Sequence, residues 1–241
     1  MLPLVSSLNG FIRRLRGTLR QTENFIAEAA HHIRTPLSVV KSESQLALRK
    51  STNPESRKHL HNIIGAVDRS SRSASQLLDH ALVLYRSEKN NMDRLDLANL
   101  ILQVADSLRP AADLRDISIS AETFPCEPVF ITADPILIEV ALRNMLDNAI
   151  KYSNPDQIVQ ILLKMDDATA EISVIDQGRG IEGVNITGPR KRFRRGSNVE
   201  DVVGSGLGLA IISEICVTVG GTFSLKKNKG GGTCAHLRLP V

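Results

Sequence analysis

The chain has no tryptophan, and aromatic residues make up only 3% of its 241 residues. Its cores must therefore be packed mainly by aliphatic side chains. Three cysteines, Cys126, Cys216 and Cys234, form an odd and widely spaced set. That set excludes a disulfide framework and shows no metal-ligand spacing, which fits a reducing compartment. No apolar run approaches the ~18–20 residues that a membrane helix needs, and no signal peptide is visible. The chain as given is expected to be soluble and cytoplasmic. A strong charge imbalance is also missing. The net charge is +4, much of it in one run, Arg190-Lys-Arg-Phe-Arg-Arg195. Nothing else matches a nucleic-acid-binding motif, so no nucleic-acid partner is expected. A hydrophobic content of 42% is enough for ordinary cores, and the length suggests one or two domains.

The periodicity divides the chain. Leu8, Phe11, Leu15, Thr22, Ile26, Ala30, Ile33, Leu37, Val40 and Ala47 follow helical steps of three and four. Ser51-Thr-Asn-Pro54 breaks the pattern, with Pro54 placed as the first residue of the next helix. A second seam follows through Leu60, Ile63, Val67, Ser70, Ala74, Leu77, Ala81 and Leu84. Two such helices form a hairpin, and one hairpin alone leaves much of its apolar face wet. A homodimer that forms a four-helix bundle is the economical solution. Glu88-Lys-Asn-Asn91 is a polar hinge. Beyond it, Leu95–Leu108 reads as helix. The period then changes to two around Ile117 and Ile119, Ile172 and Val174, and Ala235, Leu237 and Leu239, with helical stretches at 134–152 and 206–219. The fold class is α+β: a helical hairpin, then an α/β sandwich with helices on one face of a mixed sheet.

Four blocks carry chemistry. The first is His31-His32-Ile-Arg-Thr35-Pro36-Leu37. A neutral imidazole nitrogen is a nucleophile for a phosphoryl group if its second nitrogen can give up a proton to an acceptor. Thr35 lies one helical turn from His31, and Pro36 is expected to kink the helix. The second block is Asn144-Met-Leu-Asp-Asn148-Ala-Ile-Lys151-Tyr152. The carboxamide oxygen of Asn148 suits a hard cation such as Mg2+, and Asn144 shares its face one turn earlier. The third, Asp176-Gln-Gly178-Arg-Gly180, offers a carboxylate that can accept the adenine 6-amino hydrogen, beside glycines that leave room for the base. The fourth, Gly204-Ser-Gly206-Leu207-Gly208, precedes a helix whose free N–H groups can hold phosphates. Residues 182–203, polar and basic between these blocks, read as a mobile lid over the phosphate-binding blocks, with Arg195 as a phosphate contact. Any one block alone would more often be a turn or a solvated helix face. The order of all four is the specific signal.

In that order the blocks resemble the sensor histidine kinases of two-component signalling, over nearly the whole chain. The resemblance implies the ATP-binding Bergerat fold shared with gyrase, Hsp90 and MutL-type ATPases. In the family the phosphorylated histidine precedes the proline by five positions, which is His31. It gives Thr35 a part in orienting water for dephosphorylation of the partner, and Lys151 and Tyr152 positions around phosphate and ribose. Phe193 resembles the family's lid phenylalanine, and Gly231-Gly232-Thr233 its closing glycine block. His32 departs from the pattern, which has Glu or Asp there to accept the imidazole proton. Glu28, one turn back, could share that task. The implied organisation is a membrane-proximal linker at 1–22, a dimerisation and phosphotransfer domain at 23–90 and a catalytic ATP-binding domain at 91–241. The implied cofactors are ATP and Mg2+, and the implied partners a second copy of the chain and an Asp of a separate response regulator. A membrane-embedded sensor region is implied outside this chain, with the full-length protein in the bacterial inner membrane. A gyrase-like ATPase without phosphohistidine and a non-catalytic ATP-binding signalling dimer are the rival readings.

Overall fold

The structure is a computed structural model that describes residues 26, 28–29, 32–89, 91–123, 128–166, 168–180, 186–187, 207–228 and 230–241. The linker expected at 1–22 lies outside them. So do His31, Phe193, Arg195, Gly204 and Gly206 of the expected site. The chain separates into two compact units, divided between Tyr85 and Arg86.

The first unit is the helical hairpin. Helix α1 covers 32–50 and runs through Pro36 without a break. Helix α2 is Pro54–Ser87. The side chain of Asn53 accepts the N–H of Glu55 at 2.9 Å and of Ser56 at 3.3 Å, so the turn carries its own cap ahead of Pro54. Arg57 then reaches back to the carbonyls of Leu48 and Ser51, which closes the end of α1. Polar bonds tie the two helices along their length. Lys41 Nζ meets Asp68 Oδ1 at 2.8 Å, and Arg34 donates to Ser75 Oγ. In contrast, apolar side chains of both seams stay in water: Ile33, Val40, Ile63, Leu77 and Leu84 are all exposed, Leu77 by 61%. Among the described residues the hairpin leaves part of its apolar stripe unburied.

The second unit is a two-layer α/β sandwich. Helices α3 (Leu97–Asp113), α4 (Pro135–Tyr152) and α5 (Leu207–Val219) are accompanied by a six-stranded mixed sheet. Its order is β2-β4-β5-β8-β7-β6, with β2 Ser118–Thr123, β4 Ile158–Met165, β5 Thr169–Ile175, β6 Ile186–Thr187, β7 Thr222–Lys227 and β8 Thr233–Pro240. Only the β2–β4 pair is parallel. Alternation decides which face is covered: Val159, Ile161 and Leu163, Ala170, Ile172 and Val174, and Ala235, Leu237 and Leu239 are buried. They pack with the inward stripes of the helices, including Ile101, Leu142, Met145 and Ile211. The aliphatic core expected from the aromatic-poor composition is present.

The structure corrects two expectations. Helix α3 starts at Leu97, not Leu95, because Leu95 belongs to strand β1 (Asp93–Asp96), paired antiparallel with β3 (Phe130–Ala133). Asp96 ends that strand and caps the helix by accepting the N–H of Asn99. Within the stretch read as a mobile lid, Ile186–Thr187 is strand β6, paired with Ser224 and Leu225 at the sheet edge. The rest of that stretch, with its basic run, lies outside the described residues.

Candidate functional site

Helix α4 carries the asparagine block, and its ends are fixed by charge. Asp134 precedes Pro135, a sequence signature of a helix start. Its Oδ1 accepts the N–H groups of Ile136 at 2.9 Å and Leu137 at 3.3 Å. Its Oδ2 accepts Arg86 Nε at 2.8 Å, and both side chains are almost wholly buried. At the other end, Arg115 donates to the carbonyls of Ile150 and Ser153. Negative charge at the N-terminus and positive charge at the C-terminus both suit the helix dipole.

Between those ends, Asn144 is buried and donates its Nδ2 to the carbonyl of Val140 at 2.8 Å. Its Oδ1 is thereby turned to Gly208 in the first turn of α5. A Cβ placed on Gly208 would sit 2.8 Å from Asn144 Oδ1 and 3.8 Å from Asn148 Nδ2. Only a glycine lets the start of α5 come this close, so the second and fourth blocks meet. Asn148 is half-buried one turn further along. Lys151 Nζ lies 3.3 Å from the Tyr152 hydroxyl and 4.8 Å from the ring centroid.

The third block closes on the same helix. A Cβ on Gly178 would lie 2.0 Å from the carbonyl oxygen of Tyr152, and Arg179 N donates to that oxygen. Asp176, at the end of β5, is buried and accepts the N–H groups of Gly178 and Thr233, each at 3.0 Å. Gly232, at φ +85°, is packed so tightly that a Cβ would fall 2.2 Å from the Asp176 carbonyl oxygen. Gly180, at φ +70°, faces the Gly232 carbonyl. Gly231-Gly232 turns the chain from β7 into β8, and the same hairpin turn packs Gly232 and Thr233 against Asp176. Sequence reasoning missed three further supports: Asn228, which donates to the Asp176 carbonyl at 3.1 Å, Gln157, which donates to the Gln177 carbonyl at 3.0 Å, and Arg115. Their bonds span long sequence separations, and no local pattern announces them.

Burial raises the Asp176 carboxyl above its ordinary value near 3.8, partly offset by the N–H groups of Gly178 and Thr233. The folded form then holds a proton that the unfolded form has already lost. Stability falls as pH rises from about the ordinary value through the raised one. Asp176→Asn keeps an oxygen for the same two N–H groups and removes the charge. At pH 7 the empty variant should melt no lower than wild type, with the difference shrinking towards pH 4. Its affinity for ATP should drop about tenfold or more, the scale of a hydrogen bond to a charged group. Calorimetry with and without ATP reads both, and a less stable variant with unchanged affinity would refute this account.

In the first unit, His32 and Thr35 are both exposed on α1. His32 Nε2 lies 3.5 Å from Glu28 Oε1, one turn back. The residue that departs from the family pattern thus stands beside a carboxylate. Among the described residues no group of His, Cys, Asp and Glu side chains could hold a metal ion. A cation here would depend on carboxamide and ligand oxygens, which is what Asn148 offers.

A helical hairpin followed by a sandwich in which close-packed glycines set the start of α5 and the turn after Asp176 against the asparagine helix α4 defines the class of architecture. The comparisons with known proteins agree. Residues 133–241 match the Histidine kinase-, DNA gyrase B-, and HSP90-like ATPase family, and residues 21–88 the His Kinase A (phospho-acceptor) domain. The chain is 30% identical over 237 residues to the sensor protein QseC of Salmonella typhi, covering 98% of this chain and 51% of QseC. It is 31% identical over 238 residues to the sensor protein BasS of Escherichia coli K12, covering 98% of this chain and 63% of BasS. In structure it resembles full-length ShkA, solved in complex with AMPPNP, with a TM-score of 0.60, 24% identity and coverage of 90% of this chain and 45% of ShkA. The chain belongs to the sensor histidine kinases and corresponds to their cytoplasmic core. It spans half to two thirds of the length of these curated relatives.

Proposed function

We propose that this chain is an ATP-dependent protein-histidine kinase, with 23–90 as the phosphotransfer domain and 91–241 as the catalytic domain. The observation that carries the reading is that two glycine blocks close on α4, Gly208 against Asn144 and Asn148 and Gly178, bonded to Asp176, against Tyr152, in a chain that also bears a phospho-acceptor domain. Asp176 would accept the adenine amino hydrogen. Asn148 would offer its carboxamide oxygen to Mg2+, which supplies charge neutralisation at the phosphates when bound. Lys151, Tyr152 and the backbone at Leu207 and Gly208 would line the ribose and phosphates, with Phe193, Arg195, Gly204 and Gly206 completing the site from outside the described residues.

A nitrogen lone pair of neutral His31 attacks the γ-phosphorus, the bond to the bridging oxygen of ADP breaks, and the proton on the other ring nitrogen leaves to a base. His32, with Glu28 beside it, is the candidate base. The phosphoryl group then passes to an Asp of a separate response regulator, and Thr35 helps orient the water that hydrolyses that aspartyl phosphate to Asp and inorganic phosphate. A second copy of the chain would cover the exposed Ile33, Val40, Ile63 and Leu77 in a four-helix bundle. Among the described residues no helix is long and apolar enough to cross a membrane. We place this core in the cytoplasm, below a sensor region through which the whole protein would reach the inner membrane.

Incubation with ATP labelled at the γ-phosphate tests the reading. Label on the protein that survives alkali and is lost in acid is expected. ATP binding with hydrolysis but no such label would favour the gyrase-like alternative.

A further inference from the structure

We propose that Arg86 is a positioning residue for the nucleotide site, acting through Asp134 on helix α4. The proposal rests on the ATP-site reading of α4 given above. Arg86 lies in the last turn of α2, beyond the division at Tyr85, and so folds with the second unit. It lies outside the residues that match the ATPase family, which begin at 133, yet its Nε is 2.8 Å from Asp134 Oδ2. Both oxygens of Asp134 are thereby committed, one to the N–H groups of Ile136 and Leu137 and one to Arg86. The side chains are only 9% and 4% exposed, so the guanidinium fixes the orientation of the cap with little help from water.

That orientation has consequences along the helix. Asn144 lies ten residues from the cap, about 15 Å at 1.5 Å per residue. There its Oδ1 is 2.8 Å from where a Cβ on Gly208 would stand. The start of α5 thus lies close against Asn144 and Asn148, and the place of both asparagines depends on where α4 is set along its axis. A buried ion pair is a poor device for stability alone, since apolar replacements are often as stable. It is a good device for setting one helix in one register.

The test separates register from stability in the full chain. Arg86→Met alone leaves a buried carboxylate without its partner and should lower the melting temperature. The double variant Arg86→Met with Asp134→Asn buries no charge and keeps a good N-cap, so its melting temperature should return close to wild type. Its affinity for AMPPNP with Mg2+, read by calorimetry, should stay weaker by about tenfold, as a small misplacement of binding groups can cause. Return of both melting temperature and affinity would make the pair merely structural and overturn the proposal. Should the double variant fail to fold, Arg86→Lys keeps the charge but loses the planar fork. It is expected to fold and bind AMPPNP more weakly than wild type, and wild-type affinity in it would overturn the proposal. Failure of the wild type itself to bind AMPPNP would overturn the nucleotide reading and this inference with it.

Discussion

His31→Ala is expected to abolish the acid-labile, alkali-stable label altogether. For the helical pattern read from the sequence the substitution is benign, because alanine is the better helix former, so loss of label cannot be laid to unfolding if circular dichroism is unchanged. The neighbouring histidine is a poor replacement. Successive residues on a helix point about 100° apart at 3.6 residues per turn, so a phosphoryl group delivered to one ring is out of line for the other. His32→Ala should leave slower labelling, because it removes a proton acceptor and leaves the nucleophile. A phosphohistidine label that persists in His31→Ala would transfer the nucleophile to His32 and put Thr35 in the wrong register for the hydrolytic reaction.

The parts that could be read from sequence are those whose cause is local. Pro54 after Asn53 gives a helix start because cap and proline are adjacent. Ile172 and Val174 alternate with Glu171 and Ser173, and that alternation is the inner and outer face of β5. The asparagine block reads as one face of α4 because four residues make about one turn. Strand β4 resists such a reading. Ile158, Val159, Ile161, Leu162 and Leu163 form a nearly continuous apolar run, although only Val159, Ile161 and Leu163 are on the buried face, so the apolar outer residues hide the alternation. β1 and β3 are four residues each, too short for a period to show. The order of the sheet also stays hidden, since β8 is inserted between β5 and β7 by pairing that only the folded chain reveals.

The site divides in the same way. Asp-x-Gly-x-Gly suggests a tight turn, but the reason for Gly178 is the carbonyl of Tyr152, and the reason for Gly232 is the carbonyl of Asp176. Each glycine is demanded by a partner far away in sequence. Arg86, Arg115, Asn228 and Gln157 are ordinary surface residue types in the sequence, and they become supports only when the fold brings α4 and the end of β5 to them. The residues proposed to touch the nucleotide stand in local sequence blocks, and those that hold these blocks in place do not.

Asn148→Asp changes one atom type and should lower autophosphorylation by about two to three orders of magnitude, within the range for losing one group that stabilises transferring phosphoryl charge. The carboxamide is neutral, so it can offer an oxygen to Mg2+ without opposing the charge of the triphosphate. A carboxylate attracts the metal more strongly and repels the phosphates. Two unit charges about 4 Å apart near a protein surface interact by about 4 kcal/mol. Repulsion from several phosphate oxygens outweighs the gain at one metal ligand. The fold should suffer little. Asn148 is half-buried, and a negative charge in the C-terminal part of α4 opposes the helix dipole by about 0.3–1 kcal/mol. Asn148→Ala separates the two effects, since it removes the ligand and adds no charge. If charge is the larger fault, Asn148→Asp should label more slowly than Asn148→Ala at equal melting temperature. Both should regain some rate at high Mg2+ concentration, where screening and mass action favour the metal. Labelling of Asn148→Asp at the wild-type rate would remove this residue from the site and leave the asparagine face of α4 as packing against Gly208.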